Sequence, residues 1–285
     1  MKLSQAKRSL LALAVLSTAL TSGCGFVNNL RAKNELNEGA RAYKGRQYAE
    51  AQQHFERALE LNSDQKIALF FRARSIHSQY KPGVEQEANV AKAREAITAY
   101  QEYLKIDPES DEAYNAIVYL LRAIKDEQQE REWLVQRANL ESAPKDKRSQ
   151  AYTVLASKQW QCSYNITEQK ENMQTVMKEN RAIIEYKKPK NQKDYDEAVK
   201  CVTEGLQLAE KSVSLDSNSE QAWSYMTNLY LEMIKLAKMD NNTAKAEEYQ
   251  KKADAAQQTT TRLNEENKRR REQEEKEKAA KKEAS

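Results

Sequence analysis

The sequence predicts an all-α protein built from pairs of antiparallel helices, and three observations support this. Only 6 glycines and 4 prolines occur in 285 residues, so few positions interrupt a helix. Small and large apolar residues recur at helical spacing, first in residues 51–59, where they mark one helix face. The segment IDPESDEAY at 106–114 returns in altered form as LDSNSEQAW at 215–223. Together these features indicate repeated helical units joined by similar turns.

The first residues have the composition of an export signal. Lys2, Lys7 and Arg8 precede an apolar run at 9–20, and small residues then lead to Cys24. The run is too short to cross a bilayer core of about 30 Å, which needs roughly 20 apolar residues. An ordinary secretory signal with an incidental cysteine, or a retained membrane anchor, would explain part of this pattern.

The segment LTSGC at 20–24 resembles the lipobox of bacterial lipoproteins, although Thr21 stands where leucine is usual. The resemblance implies a signal peptide at 1–23, acylation of Cys24 with chains such as palmitate, and a short linker at 24–31. Several acyl chains hold a protein at a membrane far more durably than one. In lipoproteins of enteric bacteria, aspartate directly after the acylated cysteine keeps the protein from the outer membrane. Residue 25 is glycine, so the resemblance implies the outer membrane of a bacterial cell envelope, facing the periplasm.

The strongest repeat signal is residues 37–62, NEGARAYKGRQYAEAQQHFERALELN, where small and bulky residues alternate across two helices. This pattern resembles the tetratricopeptide repeat (TPR), a helix-turn-helix unit of about 34 residues. Similar helix faces recur later in the chain. Pro108 and Pro144 lie where repeats end, since proline cannot continue a helix but can begin the next one. The predicted repeats are 32–65, 66–110, 111–145, 149–219 and 220–257.

The resemblance implies a TPR-type helical solenoid of about five repeats. One helical pair cannot bury its own apolar face, so neighbouring pairs stack and share a core. In this family the concave surface of the stack binds partners. An unrelated helical bundle with alanine-rich faces is the alternative.

Repeat four contains an insertion at 166–193. Apolar and β-branched residues flank the polar segment KENR at 178–181, which predicts a small β-hairpin around 173–187. A short helix is the alternative, since Met173, Val176, Met177 and Ile184 also fit helical spacing. Cys162 and Cys201 lie near adjacent ends of the two helices of this repeat, so we expect a disulfide between them, with two buried thiols as the alternative.

The C-terminal segment 258–285 alternates charges of both signs and carries few apolar residues. Such a pattern is typical of a solvated helix that frays into disorder. The formal charge of the whole chain is +4, and loss of the three cations in 1–23 leaves +1. A basic footprint for nucleic acid is therefore not expected.

The sequence offers little for catalysis. His54 and His77 have no partner at a metal-ligand spacing, and neither a GxSxG motif nor a glycine-rich phosphate loop occurs. We therefore expect a protein that is not an enzyme and uses no metal and no cofactor.

Binding residues are expected on the concave face, which the first helix of each repeat supplies in the TPR family. Tyrosine, tryptophan and arginine are favoured anchors of interfaces. The candidates are Leu36, Tyr43, Phe70, Arg74, Tyr119, Arg122, Trp160 and Tyr225. Ordinary helix packing is the alternative for each. The expected function is a membrane-anchored TPR scaffold that binds envelope proteins during assembly or secretion, and the alternative is a surface lipoprotein that binds glycan, peptidoglycan or extended peptides.

Overall fold

The structure is a computed structural model that describes residues 27–178 and 181–283. These residues form ten α-helices and one antiparallel β-hairpin, which confirms the all-α class with a small hairpin insert. The expected signal peptide and Cys24 lie outside the described residues. No helix within the described ranges is both long and apolar enough to cross a membrane.

The helices follow one another in antiparallel pairs. In chain order they are α1 at 27–44, α2 at Tyr48–Leu61, α3 at Lys66–His77, α4 at Glu87–Leu104, α5 at Asp111–Ala123, α6 at Glu127–Asn139, α7 at Lys145–Thr167, α8 at Gln192–Leu215, α9 at Glu220–Met239 and α10 at Thr243–Glu283. Helix α1 begins inside the stretch expected as linker, 24–31. The chain divides into two compact units, Met1–Glu130 (unit 1) and Arg131–Ser285 (unit 2).

The core of unit 1 shows why small residues alternate with large ones. Ala51, Phe55 and Ala58 are buried on one face of α2. A Cβ atom on Gly39 of α1 would lie 2.8 Å from Cε1 of Phe55, closer than carbon atoms pack. The missing side chain therefore lets the Phe55 ring approach the α1 backbone.

Three of the turns within helical pairs share one geometry. Arg46, Lys125 and Asn241 each stand two residues after a helix and have left-handed backbones, with φ of 61°, 59° and 54°. In each turn the next residue donates its N–H to a carbonyl five residues earlier, at 2.8 to 2.9 Å. This is the Schellman motif, in which two carbonyls at the helix end gain partners. This shared turn explains how the chain reverses its direction within three residues after α1, α5 and α9.

The insertion in unit 2 folds as the predicted hairpin. Strand β1 at Met173–Lys178 pairs with strand β2 at Arg181–Tyr186, and Met173 stands opposite Tyr186. Since an isolated hairpin is marginal in water, this one needs support from the helices. Tyr186 gives it, because its hydroxyl donates to Oε1 of Glu168 at 2.7 Å.

A buried charge network continues from that contact. The Lys235 ammonium on α9 lies 2.5 Å from Oε1 of Glu168 and 2.7 Å from Oε1 of Glu232. Its nitrogen also lies 4.6 Å from the centre of the Tyr186 ring. Burial alone lowers the pKa of Lys235, but hydrogen bonds to the two carboxylates outweigh it and raise the pKa above its usual value. The network fastens the hairpin to α7 and α9.

A disulfide joins α7 to α8 at the base of the insertion. Cys162 and Cys201 have their Cα atoms 6.1 Å apart, and their positions in the sequence differ by 39. A cross-link that closes a loop of this length contributes on the order of 3–4 kcal/mol in the chain-entropy account. The disulfide and the charge network thus constrain the same insertion from two sides.

Helix α10 extends well past the last predicted repeat. Leu263 is buried within the segment expected as a charged tail. Just beyond it, Asn264 and Asn267 donate to the two carboxylate oxygens of Glu220 at 2.7 and 3.1 Å. The start of the tail is therefore part of the packed structure of unit 2.

Candidate partner-binding groove

An open groove of about 400 Å³ lies in unit 1. We call it the aromatic groove. It is lined by Tyr43, Arg74, His77, Ser78, Tyr80, Pro82, Tyr100, Glu112, Ala116 and Tyr119. The helices that reach it include α1, α3 and α5, the first helices of three successive pairs.

Arg74 is the central cation of the groove. Its guanidinium carbon lies 5.6 Å from the ring centres of Tyr43 and Phe70 and 5.7 Å from that of Phe71. Nη1 of Arg74 also lies 3.2 Å from Oε1 of Glu112. Cation–π contact and the ion pair hold the guanidinium in place while part of it faces the solvent.

His77 and Tyr119 form the opposite part of the groove. Their rings are stacked with centres 5.6 Å apart, and Tyr119 is exposed. Nδ1 of His77 lies 3.3 Å from the hydroxyl oxygen of Tyr100. Burial lowers the pKa of His77 and the nearby Arg74 charge lowers it further, so the imidazole is neutral at pH 7. Burial likewise raises the pKa of Tyr100 and keeps its hydroxyl protonated.

The groove combines apolar ring surface with a few fixed polar groups. It offers a guanidinium and a carboxylate 3.2 Å apart, a neutral imidazole, and tyrosine hydroxyls. This combination is typical of ligand-binding clefts, where apolar walls supply affinity and a few polar groups orient the ligand.

Four of the eight predicted binding residues therefore come together. Tyr43, Arg74 and Tyr119 line the aromatic groove, and Phe70 lies against Arg74 beneath it. The remaining candidate residues of unit 1 are placed otherwise. Leu36 packs against the core around Phe55.

Arg122 also lies apart from the groove. Its Nη2 and Nε donate to Oε1 of the buried Glu130 at 2.8 and 3.1 Å. Arg122 thus neutralises a buried carboxylate at the start of α6.

Trp160 and Tyr225 meet in unit 2. Their ring centres are 6.0 Å apart, and Tyr164 lies 5.1 Å from Trp160. An open pocket of about 500 Å³ adjoins them; its lining is Trp160, Glu220, Gln221, Ser224, Tyr225 and Asn228. We call it the Trp160 pocket.

Sequence reasoning missed His77, Tyr100 and Glu112 as groove residues. One signal was present for His77, since positions 70, 74 and 77 share a helix face.

One grouping of potential metal ligands occurs among the described residues. It consists of Cys162, Glu197 and Cys201, whose ligand atoms lie within 4.8 Å of one another. The two sulfur atoms are bonded to each other, so neither is a thiolate that can bind a metal.

Comparison with known proteins leaves the chain without an assigned family. No family model matches it, and no curated protein matches it. Its fold is similar to the solved structure of MamA from Desulfovibrio magneticus RS-1, with 16% identity over 78% of this chain and 96% of that chain and a TM-score of 0.38. It is also similar to YrrB, described as a TPR protein with an unusual peptide-binding site, with 13% identity over 81% of this chain and 90% of that chain and a TM-score of 0.39. For PilF from Pseudomonas aeruginosa the identity is 14% over 78% of this chain and 90% of that chain, and the TM-score is 0.36. At sequence identities and TM-scores this low, the similarity supports no conclusion about function.

Proposed function

We propose that this chain is a lipid-anchored, non-catalytic envelope protein that binds protein partners in the aromatic groove. The observation that carries the proposal is the convergence of Tyr43, Arg74, His77 and Tyr119 from three helices on one open cleft. Tyrosine and arginine dominate the binding energy of many interfaces because they combine large contact area with directed polar groups.

The groove favours an extended segment of a partner over a small molecule. It is open, and its polar groups are spread over four helices, α1, α3, α4 and α5. A peptide backbone can bond to the exposed part of Arg74 and to the Tyr43 hydroxyl, while an apolar side chain stacks on Tyr119. A groove that recognises a chain segment suits a scaffold in envelope assembly or secretion.

The proposed anchor is Cys24, and the proposed location is the outer membrane, facing the periplasm. The basic start, the short apolar run and the LTSGC segment support the anchor, and Gly25 supports the location. Acylation can be tested by the intact mass of the purified protein, which should equal that of residues 24–285 plus a diacylglyceryl group and a further acyl chain. A mass without acyl groups would refute the anchor.

The groove can be tested by photo-crosslinking in the native cell. A photoreactive amino acid at position 119 should capture one or a few envelope proteins, and one at the exposed Gln53 on α2 should not. Adding Arg74→Ala should reduce capture at position 119 by about tenfold, since losing an interface anchor worth about 1.4 kcal/mol lowers the affinity by that factor. Equal capture at both positions, or capture unaffected by Arg74→Ala, would refute binding in the groove.

The Trp160 pocket favours a second candidate function, glycan binding. Its rings can stack on the apolar face of a sugar, and Asn228, Gln221 and Ser224 can bond to hydroxyl groups. Co-sedimentation with purified peptidoglycan should then fall in a Trp160→Ala variant and stay unchanged in Arg74→Ala. If neither variant changes retention, the pocket is not a glycan site.

A further inference from the structure

Four helix ends lie together along one edge of unit 1. The described part of α1 starts at residue 27, α2 ends at Leu61, α3 begins at Lys66 and α4 ends at Leu104. We call residues 27–30, 61–67 and 104–107 the N-terminal edge.

Side-chain contacts connect these ends to one another. The amide of Asn62 donates to Oδ1 of Asn29 at 2.9 Å, which joins the end of α2 to the start of α1. The ammonium of Lys66 lies 2.8 Å from Oδ2 of Asp107, which joins the start of α3 to the turn after α4. The edge is therefore a connected surface.

The N-terminal edge exposes large aliphatic side chains. Leu30 and Ile67 are each 62% exposed, Val27 is 44% exposed and Ile106 is 43% exposed. Among the described residues of unit 1, only Val84 is a comparably exposed aliphatic residue elsewhere, and it lies in the loop at the other end of α3 and α4. Exposed apolar groups concentrated in one region mark an interaction surface.

We propose that the N-terminal edge lies against the bilayer to which Cys24 is attached. This inference rests on the proposed acylation. Only three residue steps separate Cys24 from Val27, where the described α1 begins, and three extended residues span at most about 11 Å. The polar layer on each side of a bilayer is several ångströms thick, so the tether has almost no slack beyond it.

The composition of the edge suits this occupant. Leu30 and Ile67 can enter the interfacial layer, where their apolar surface leaves water. The exposed Lys105 of the edge and the exposed Arg31 next to it can remain at the level of the lipid phosphates. The edge thereby makes membrane contacts in addition to those of the acyl chains, and it fixes which face of unit 1 meets the membrane.

Lipid photolabelling of the acylated full chain tests this placement. The protein is reconstituted into vesicles of phosphatidylethanolamine and phosphatidylglycerol that contain a phospholipid with a photoreactive group near its headgroup. Labelled peptides are then identified by mass spectrometry. We expect label in the peptides that contain Leu30, Ile67 and Ile106.

Two variants sharpen the test. Leu30→Ser with Ile67→Ser should reduce labelling of the edge by about fivefold or more, since two large apolar contacts are lost. Val84→Ser is the matched control and should leave the labelling unchanged. Circular dichroism checks that each variant stays helical.

The outcomes separate the edge from the anchor. Label concentrated on the 78–86 loop or on the hairpin, or edge labelling that the double variant leaves unchanged, would overturn the placement even if the protein is acylated. An intact mass without acyl groups would overturn the anchor and with it the geometric reason for the placement.

Discussion

Replacing Lys235 by methionine should destabilise unit 2, because Lys235 is the counter-ion of a buried carboxylate. Its ammonium lies 2.7 Å from Oε1 of Glu232, whose side chain is only 2% exposed. The other carboxylate oxygen of Glu232 accepts hydrogen bonds from Ser163 at 3.0 Å and Thr167 at 2.8 Å. Among the described residues, two neutral hydroxyls would then remain as the hydrogen-bond partners of that charge.

The expected loss is about 3 kcal/mol at pH 7. Removing one partner of a buried ion pair costs roughly 3–5 kcal/mol, because the other charge stays desolvated without compensation. The methionine side chain keeps most of the packing of the lysine stem, which places the loss at the lower end of that range.

Urea unfolding followed by tryptophan fluorescence measures this loss, since all three tryptophans lie in unit 2. A second variant, Lys235→Met with Glu232→Gln, removes both charges and should recover more than half of the lost stability. A single variant within 0.5 kcal/mol of the wild type would refute the reasoning. So would a double variant whose loss equals the sum of the two single losses, because residues in one network are not additive.

Four further predictions use other parts of the chain. NMR titration should give His77 a pKa below 6.5 in the folded protein. As the pH falls, His77 therefore takes up its proton in the unfolded state before it does so in the folded state, and the stability of the protein falls below pH 6.5. The variant His77→Gln should reduce this pH dependence of stability. Gly205→Ala should cost about 1–2 kcal/mol in urea unfolding despite its better helix propensity, because the new Cβ would lie 2.6 Å from Cδ2 of Leu229. Leu263→Ala should cost about 2–3 kcal/mol, whereas a side chain in a solvated tail would cost almost nothing. Arg46→Gly should stabilise unit 1 by about 1 kcal/mol, because glycine adopts the left-handed backbone of that turn without strain; lower stability by circular dichroism would contradict this.

The helical pairs could be predicted from the sequence because their signal is local. The spacing of Ala51, Phe55 and Ala58 identifies a helix face without knowledge of what packs on it. The hairpin was predictable for the same reason, from apolar residues on both sides of a polar segment. The turns at Arg46 and Lys125 were not, since neither residue type favours a left-handed backbone.

The aromatic groove was predictable only in part. Tyr43, Arg74 and Tyr119 were found because first helices supply the concave face in the TPR family. Glu112 and Tyr100 were missed, since their roles depend on partners 38 and 23 positions away in the chain. Pairing at such separations is set by how the helices pack, which a single sequence does not report.

The C-terminal segment shows the same limit. One apolar residue, Leu263, stands among charges, and local composition gives it little weight. Its neighbours Asn264 and Asn267 bond to Glu220, which lies 44 and 47 positions earlier. Only the folded chain brings these groups together.

Beyond Asn267, helix α10 continues to Glu283, and each side chain from Lys268 to Lys281 is exposed. Sixteen helical residues extend about 24 Å. Short helices without a packed face are marginal in water, so this stretch should open and close many times while the rest of unit 2 stays folded. A lysine- and arginine-specific protease should therefore trim it back towards Asn267 first, leaving a shortened chain with an unchanged melting temperature.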